Sequence, residues 1–466
     1  MDEPVGESTL DRYAALRRRI VGGRRIVLAG HHLAGTTKWV EKLLHDGASA
    51  CYVLACAVGT GELPDDSIGR FVLGVTGLTP SDEVRAVNRA LRDIPAAALE
   101  AIEAFDPSGD ALVLCPPYMD QQHVAGRAVY GGRRPEWTAL EDKTIADALF
   151  DRAGVERAPS IVAPVDAEAL RAAAGVLDHG DGTVWAGDAR DGFHGGGDLV
   201  RWVRPDDIDD FAAWYAPQCD RVRVAPFLEG IPCSIHGFVC DDGVAVFRPM
   251  EMVILRRPPD HPERSRFVYA GMTSLWDPSP ADREDMRAAA RRVGTLLAAE
   301  VDYRGAYTVD GIMTRDGFRP TEMNPRYGGA LGYAYASLPR LGLPLLHIIA
   351  AAGDGTQIRS TELESLVVAA GDRTRWGASN MFLPAPCSQT SVFEVPGIGR
   401  ITIGPGVAGT FARLEPDVEA IAPGPSFAAR AIEAFERAES DLGLPVGPLV
   451  AATSVRSSTE LATPFG

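Results

Sequence analysis

The stretch YRGAYTVDGIMTRDGFRPTEMNPRYGGA, residues 303–330, is the part of the sequence that decides the fold. It holds two segments of alternating side chains, RGAYTVDGIM and FRPTEMN, separated by Arg315-Asp316-Gly317. An Asp-Gly pair between alternating segments is a strong hairpin signal. The sequence therefore predicts two antiparallel strands joined by a tight turn.

Four side chains of this hairpin can carry chemistry. Glu322 and Asn324 are two residues apart and share a face of their strand, Arg326 can follow them, and Asp310 can join them from the other strand. Two carboxylates and an amide oxygen suit Mg²⁺, and an arginine beside them suits phosphate oxygens or an oxyanion. From spacing alone, a surface hairpin with ordinary exposed acids explains the same pattern.

The segment resembles the metal hairpin of the ATP-grasp family, in which an acid is followed about a dozen residues later by Glu-x-Asn-x-Arg. Here these are Asp310 and the run Glu322-Met323-Asn324-Pro325-Arg326. Arg304-Gly305-Ala306 and Gly328-Gly329 also look like the family, especially its biotin-carboxylase-like branch. The resemblance implies metal ligands at Asp310, Glu322 and Asn324, and a catalytic role for Arg326.

Further parts of the family pattern lie upstream in the expected order. Lys143 resembles the first phosphate-contacting lysine of the family, and it is one of only three lysines in the chain, with Lys38 and Lys42. The run from Arg190 to Gly197 resembles the mobile glycine-rich loop that closes over ATP phosphates. Glycines let backbone N–H groups approach an anion closely. The resemblance implies cofactor contacts from Gly195, Gly196 and Gly197.

The run Val224–Gly230 looks like the hinge between the two lobes, which implies that Pro226, Phe227 and Leu228 pair with the adenine through their main chain. Arg256 and Arg257 resemble basic residues at the mouth of the cleft that could hold a substrate carboxylate or phosphate. A solvated pair of arginines explains them almost as well.

The chain also departs from the family. The strand Thr183–Gly187 lacks the second lysine that usually precedes the glycine loop, and Arg190 is the candidate replacement. An arginine does not simply replace the point charge of a lysine. The acids that usually contact the ribose are missing, since Ala225 and Pro232 occupy their places, and Glu229 is the candidate stand-in.

The rest of the chain fits an α/β protein whose catalytic part is α+β. Buried strands at 25–29, 50–57 and 111–115 alternate with helices at 37–45 and 81–104, which predicts a Rossmann-like pre-ATP-grasp domain over residues 1–130. A two-lobed ATP-grasp fold is expected over 131–365, divided near 225/226. A small appended C-terminal module is expected over 366–466.

Composition limits the possible classes. The 466 residues carry a net charge of −17, which argues against nonspecific nucleic-acid binding because no basic excess is available to neutralise phosphates. No apolar run is long enough to span a membrane and the start lacks a secretory signal, so a cytoplasmic enzyme is expected. Seven scattered cysteines without a CxxC pair fit neither a disulfide framework nor a zinc knuckle.

The loop Gly30–Lys38 follows a strand and opens a helix, like a Walker A loop, but Thr36 occupies the position of the lysine. A ligand-binding loop at the carboxyl end of a parallel strand is the better interpretation. His31 and His32 are candidate substrate contacts, with ordinary loop histidines as the alternative. His236, on a strand, is expected to be packed.

The resemblance implies a ligase that uses ATP and Mg²⁺, with Mn²⁺ as a substitute, to join a small-molecule carboxylate to an amine through an acyl-phosphate. The run Pro226–Gly237 and the C-terminal module look most like peptide ligases of natural-product pathways, the pheganomycin type. A homodimer is an open expectation. A carboxylase-like or kinase-like enzyme and a nucleotide-binding regulator without turnover remain as alternatives.

Overall fold

A computed structural model describes residues 5–75, 77, 79–334, 336–383, 387, 389–406 and 409–453. Its helices and strands are numbered separately, in chain order. The helices are α1 Val5–Val21, α2 Thr37–His45, α3 Pro80–Arg92, α4 Ala96–Phe105, α5 Pro135–Thr138, α6 Ala146–Arg152, α7 Ala167–Leu177, α8 Ile208–Tyr215, α9 Pro280–Val301, α10 Leu331–Ala334, α11 Leu343–Ala351, α12 Ser360–Arg373 and α13 Ala428–Leu442.

The N-terminal part is a parallel sheet with strand order β3-β2-β1-β4. Its strands are β1 Arg25–Ala29, β2 Ala50–Ala55, β3 Gly69–Val72 and β4 Leu112–Leu114, followed by the short pair β5 His123–Val124 and β6 Arg127–Ala128. The predicted α/β class is confirmed here. The helix predicted over 81–104 is wrong as a single element: it is divided into α3 and α4, and Pro95 lies immediately before α4. Strand β3 was not predicted, because half-exposed side chains hide its pattern.

A small antiparallel sheet follows, in the order β7-β10-β8-β9. Its strands are β7 Ile161–Pro164, β8 Thr183–Gly187, β9 Val200–Val203 and β10 Arg221–Pro226. Helices α7 and α8 pack on one face, where Trp185 and Tyr215 are fully buried. The other face carries Ala186 opposite Arg223, which pairs with Asp147 of α6.

The largest sheet has ten strands, and it is antiparallel along the path β16-β15-β11-β13-β14-β17-β20-β19-β18, with β12 paired to β11. The strands are β11 Ile231–Cys240, β12 Gly243–Val246, β13 Met250–Arg256, β14 Phe267–Thr273, β15 Gly305–Thr314, β16 Gly317–Asn324, β17 Gly377–Leu383, β18 Ser391–Val395, β19 Gly399–Gly406 and β20 Gly409–Pro416. The predicted hairpin at 303–330 is confirmed as β15 and β16. Strands β12 and β13 are separated by residues 247–249, and Pro249 cannot donate to a ladder.

The C-terminal residues continue this large sheet instead of forming a separate one. Strand β17 pairs with β14, and helix α13 packs against β13. One core combines Val253, Leu255 and Ala270 with Ile401, Leu414 and Phe435. The expected boundary at residue 366 falls inside α12. Among the described residues, no helix is both long and apolar enough to cross a bilayer.

Candidate active site

The hairpin β15–β16 brings the predicted carboxylates together. Asp310 lies directly opposite Glu322, and Thr308 lies opposite Asn324. The side-chain nitrogen Nδ2 of Asn324 donates to Asp310 Oδ2 at 2.9 Å and to Glu322 Oε1 at 3.3 Å. The ladder shifts register just after Asp310, at a bulge. The three predicted metal-ligating side chains therefore share one face of adjacent strands and contact one another.

Lys143 connects these carboxylates to the glycine-rich loop. Its Nζ lies 2.8 Å from Glu322 Oε2 and donates to the backbone oxygen of His194 at 3.0 Å. The side chain is 8% exposed, although a lysine prefers water. Its charge therefore lies between the hairpin and the loop.

Arg326 lies on the other side of the cluster, and it is buried. Its Nη2 donates to Asn324 Oδ1 at 3.0 Å, and its Nε lies 2.9 Å from Glu141 Oε1. Glu141 also accepts from Arg133 Nη2 at 2.6 Å. The Arg326 guanidinium carbon is 4.5 Å from the centre of the Tyr118 ring. Tyr118 follows β4, so the edge of the parallel sheet contributes a wall to the site.

The pKa values of the Asp310 and Glu322 carboxyl groups are shifted in opposite directions. Burial raises the pKa of Asp310 well above its usual value, and the charge of Glu322 adds to the rise. Burial alone would also raise the pKa of Glu322, but the Lys143 ammonium outweighs it, and the pKa is lowered. When all groups are ionised, the net charge of the site is zero. Three carboxylates are matched by three cations: Glu141, Asp310 and Glu322 by Arg133, Lys143 and Arg326. Adding a divalent ion would leave a positive excess suited to a polyphosphate.

The glycine-rich loop is held against α3 of the N-terminal part. Nε of Arg85 lies 2.8 Å from Asp191 Oδ2, its Nη1 lies 3.3 Å from Asp198 Oδ2, and its guanidinium stacks over Phe193 at 4.7 Å. Gly196 has φ +74°, and a Cβ built there would lie 3.1 Å from Ser81 Oγ. The backbone of the loop is thus placed between α3 and Lys143, with Gly195 and Gly197 on either side of Gly196.

Arg190 is placed elsewhere. Its Nη2 lies 2.7 Å from Asp220 Oδ1, and the guanidinium also donates to the backbone oxygens of Pro217 and Cys219. These contacts fix the base of the loop to the small sheet and direct the charge away from the carboxylate cluster. Arg223 lies opposite Ala186, is buried, and binds Asp147 of α6 at 2.7 Å through its guanidinium. The alternating RVRV of β10 was the available signal for it.

The hinge contains an aromatic stack. Phe227 and Trp202 have ring centres 4.0 Å apart and nearly parallel planes. Pro226 ends β10, and Leu228 follows Phe227 into the connection to β11. Glu229 binds Arg256 Nη1 at 3.0 Å. The stack is flanked by cations, since the Arg204 guanidinium carbon lies 4.2 Å from the centre of the Trp202 ring.

Arg256 and Arg257 are engaged by the C-terminal segment. Nη2 of Arg256 donates to the backbone oxygen of Ala451 at 2.8 Å, and Nη1 of Arg257 donates to that of Val446 at 2.8 Å. The backbone nitrogen of Thr453 donates to Glu229. The structure thus joins these two arginines and Glu229 to the chain end and does not bring the arginines to the carboxylate cluster.

Three further side chains share the face of the cluster, and the sequence analysis assigned them no site role. Ser234 donates to Asp310, and His236 lies opposite Thr308 on the neighbouring strand. Among the described residues, neither His236 Nδ1 nor Thr308 Oγ1 has a hydrogen-bond partner, although both atoms are buried. Burial lowers the pKa of His236 to about 4, so the imidazole is neutral. The two-residue spacing from Ser234 to His236 was the available signal.

The two candidate histidines of the N-terminal loop differ. His31 is 6.3 Å from Trp39 between ring centres, and burial lowers its pKa to about 4. His32 contacts Glu83 through Nε2, and hydrogen bonds to Cys56 and Glu83 raise its pKa to about 10. Both histidines lie at the carboxyl end of β1, as expected.

Solved structures share this architecture. The biotin carboxylase domain of 2-oxoglutarate carboxylase from Hydrogenobacter thermophilus, solved with MgADP, ADP and bicarbonate, matches with a TM-score of 0.53 and 15% identity, over 92% of this chain and 91% of that one. The L-amino acid ligase from Bacillus licheniformis matches with a TM-score of 0.52 and 13% identity, over 90% and 97%. No protein-family model matches the sequence, and neither does any curated protein.

These likenesses define the class by fold: the chain has the ATP-grasp architecture, with its parallel N-terminal sheet and its large antiparallel sheet. The two matches cover nine tenths or more of the chain. At 13–15% identity the comparison extends to the fold and no further.

Proposed function

We propose that this protein is an ATP-dependent ligase that activates a substrate carboxylate as an acyl-phosphate and joins it to an amine. The observation that carries the proposal is the contact among Asp310, Glu322 and Asn324, with Lys143 on one side and Arg326 on the other. This arrangement places hard oxygen ligands between two cations that contact them directly. Phosphoryl transfer depends on such positioning and charge stabilisation.

The donor set fits Mg²⁺ or Mn²⁺. Two carboxylates and one amide are oxygen donors of the type that both ions accept, on a rigid pair of strands. Such an ion, held by Asp310, Glu322 and Asn324, would offset the negative charge of the phosphates. Asn324 now directs Nδ2 at both carboxylates and Oδ1 at Arg326. Presenting Oδ1 to a cation requires the amide to turn over, and this releases Arg326 from its acceptor.

The released Arg326 remains beside Glu141 and Tyr118, and in this proposal it contacts the oxygen that becomes negatively charged when the amine attacks. Lys143 keeps the carbonyl of His194 near Glu322, so the phosphates would enter between the hairpin and the loop. The loop held by Arg85 then excludes water from the acyl-phosphate. Phe227 and Trp202 would form the wall for adenine.

The finer assignment rests on sequence resemblance. The run Pro226–Gly237 and the additional C-terminal strands suggest a peptide ligase of the pheganomycin type, with an amino acid or peptide as the amine. One of the two neighbours described above is called an L-amino acid ligase, which agrees with an amino acid acceptor. The identity of the carboxylate is left to experiment.

A second candidate is a nucleotide-binding regulator without turnover. It is favoured by the missing lysine on β8 and by the commitment of Arg190 to Asp220. The two candidates differ in whether ATP is consumed.

The deciding experiment measures ADP release with pools of amino acids as amines and with small carboxylic acids, and reads product masses. A ligase releases ADP only when both substrates are present, and the product mass is the sum of the two minus water. Tight ATP binding without ADP release from any pair would contradict the ligase and support the regulator. ADP release with bicarbonate alone, or a stable phosphorylated product, would indicate a carboxylase-like or kinase-like enzyme.

A further inference from the structure

A second cluster of donor atoms lies at the carboxyl-terminal edge of the parallel sheet. His32 follows β1, Cys56 follows β2, and Glu83 belongs to the first turn of α3. One donor atom from each of these three side chains lies within 4.8 Å of the other two. They come from three different elements, so the fold and not the local sequence brings them together.

The chemistry of these donors differs from that of the carboxylate hairpin. An imidazole nitrogen, a thiol sulfur and a carboxylate oxygen together suit a borderline-soft ion such as Zn²⁺, whereas Mg²⁺ does not use sulfur. A tetrahedral zinc ion separates its donors by about 3.5 Å, so an ion entering the cluster would have to part His32 Nε2 and Glu83 Oε1, which are hydrogen-bonded to each other. Three protein donors leave a fourth position for water or a substrate atom.

The three side chains of the cluster differ in their exposure to solvent. Cys56 is buried, the Glu83 side chain is 13% exposed, and His32 is 36% exposed. The ion would therefore be held from the protein side and open on the histidine side. Gly59 approaches His32 so closely that a Cβ there would lie 2.8 Å from the His32 Cβ, which fixes the loop that carries the histidine.

We propose that His32, Cys56 and Glu83 form a binding site for a zinc-class divalent ion, distinct from the hairpin metal site. The site joins the loops after β1 and β2 to α3. Because Arg85 of the same helix holds the glycine-rich loop, the ion would also stiffen the surface on which that loop closes. A reactive cysteine is the competing interpretation, but the sulfur of Cys56 has little access to a substrate while the side chain is 2% exposed.

The test uses the full chain, stripped with chelator and dialysed against Zn²⁺ or Co²⁺. Wild-type protein is expected to retain one equivalent, and the Co²⁺ form is expected to show a sulfur-to-metal charge-transfer absorption. Cys56→Ser and Glu83→Gln are expected to weaken binding at least tenfold, and Cys56→Ser to abolish the absorption. Cys115→Ser is the matched control, since Cys115 follows β4 at the same edge of the sheet and is not in the cluster.

Thermal unfolding separates this role from a folding defect. Zn²⁺ is expected to raise the Tm of wild type and of Cys115→Ser, and to leave the Tm of folded Cys56→Ser unchanged. The proposal is overturned if Cys56→Ser and Glu83→Gln still bind one equivalent of the ion. It is also overturned if wild-type protein retains no ion. If iodoacetamide alkylates Cys56 rapidly and Zn²⁺ does not slow this reaction, the result would support the reactive cysteine instead. None of these measurements requires ligase activity.

Discussion

Two neighbouring carboxylates in a buried site repel each other unless cations or protons compensate them. In this protein Lys143 compensates Glu322, while Asp310 is left with hydrogen bonds from Ser234 and Asn324 and a raised pKa. The site therefore attracts a cation before any ligand arrives. This asymmetry makes Glu322 the more informative of the two acids to replace.

Glu322→Gln is expected to lower ATP turnover at least about a hundredfold, because it removes the negative charge that would hold the metal ion and that pairs with Lys143, while nearly preserving side-chain volume. Steady-state ADP release measures the effect. Asp316→Asn, at the exposed turn of the same hairpin, is the control and should keep wild-type turnover. Near-normal turnover of Glu322→Gln would remove Glu322 from the metal site.

A second residue-scale prediction concerns Glu251, which is buried against α13 and accepts hydrogen bonds from Ser426 and from the backbone of Phe427. Burial raises its pKa to about 7 from the usual 4.5. Between pH 4.5 and 7, the Glu251 carboxyl is therefore protonated in the folded state and ionised in the unfolded chain. The stabilising contribution of Glu251 is complete below pH 4.5 and is lost as pH rises through 7.

Glu251→Gln cannot titrate, so its stability should fall less over this range. As pH rises from 4.5 to 8, the free energy of unfolding of wild type should fall by up to about 3 kcal/mol more than that of the variant. Urea unfolding at several pH values provides the comparison. Parallel pH dependences would show that Glu251 is ionised in the folded protein.

At the scale of elements, one side chain of α3 ties the glycine-rich loop to the N-terminal part. Arg85 makes two partly exposed ion pairs and one ring contact with the loop. Together such contacts are worth about 1–2 kcal/mol. The loop is therefore held closed weakly enough to open for substrate.

Arg85→Gln should raise the population of the open loop about 5- to 30-fold, the equivalent of that energy. Limited proteolysis within 190–198 should accelerate by a similar factor, and ATP consumption without product should increase. Arg89→Gln, on the exposed face of the same helix, is the control. Unchanged cleavage in Arg85→Gln would show that the contacts do not hold the loop.

The elements also show what the sequence could predict. The hairpin β15–β16 was predictable because its alternation, its turn and its metal-binding pattern lie within 28 consecutive residues. The contacts of Arg190 and Arg223 could not be predicted in the same way. Arg190 is directed by Asp220 and Arg223 by Asp147, and no sequence pattern links either aspartate to its arginine. The cluster of His32, Cys56 and Glu83 was equally hidden, since parallel strands align residues far apart in sequence.

At the scale of the whole molecule, the C-terminal strands complete the sheet that carries the site. Strand β14 pairs with β17 on one side and β13 on the other, and the core beneath them draws on both parts of the chain. A chain shortened to residues 1–375 would expose this core and an unpaired strand edge. The C-terminal strands and the strands before them thus share one sheet and one core.

The shortened chain is expected to be insoluble or to lack cooperative unfolding, whereas the full chain should lose β17–β20 and the rest of the large sheet in one transition. Soluble expression and calorimetry are the measurements. A folded 1–375 fragment that retains ATP turnover would establish a separable module.

The central claim is that Asp310, Glu322 and Asn324 converge on one divalent ion that also contacts the phosphates of ATP. A crystal structure with Mg²⁺ and a non-hydrolysable ATP analogue tests it directly. The claim predicts an ion about 2.1 Å from oxygens of the three side chains, with Asn324 turned over and Lys143 beside the phosphates. A triphosphate bound elsewhere, with these side chains still hydrogen-bonded only to one another, would contradict it.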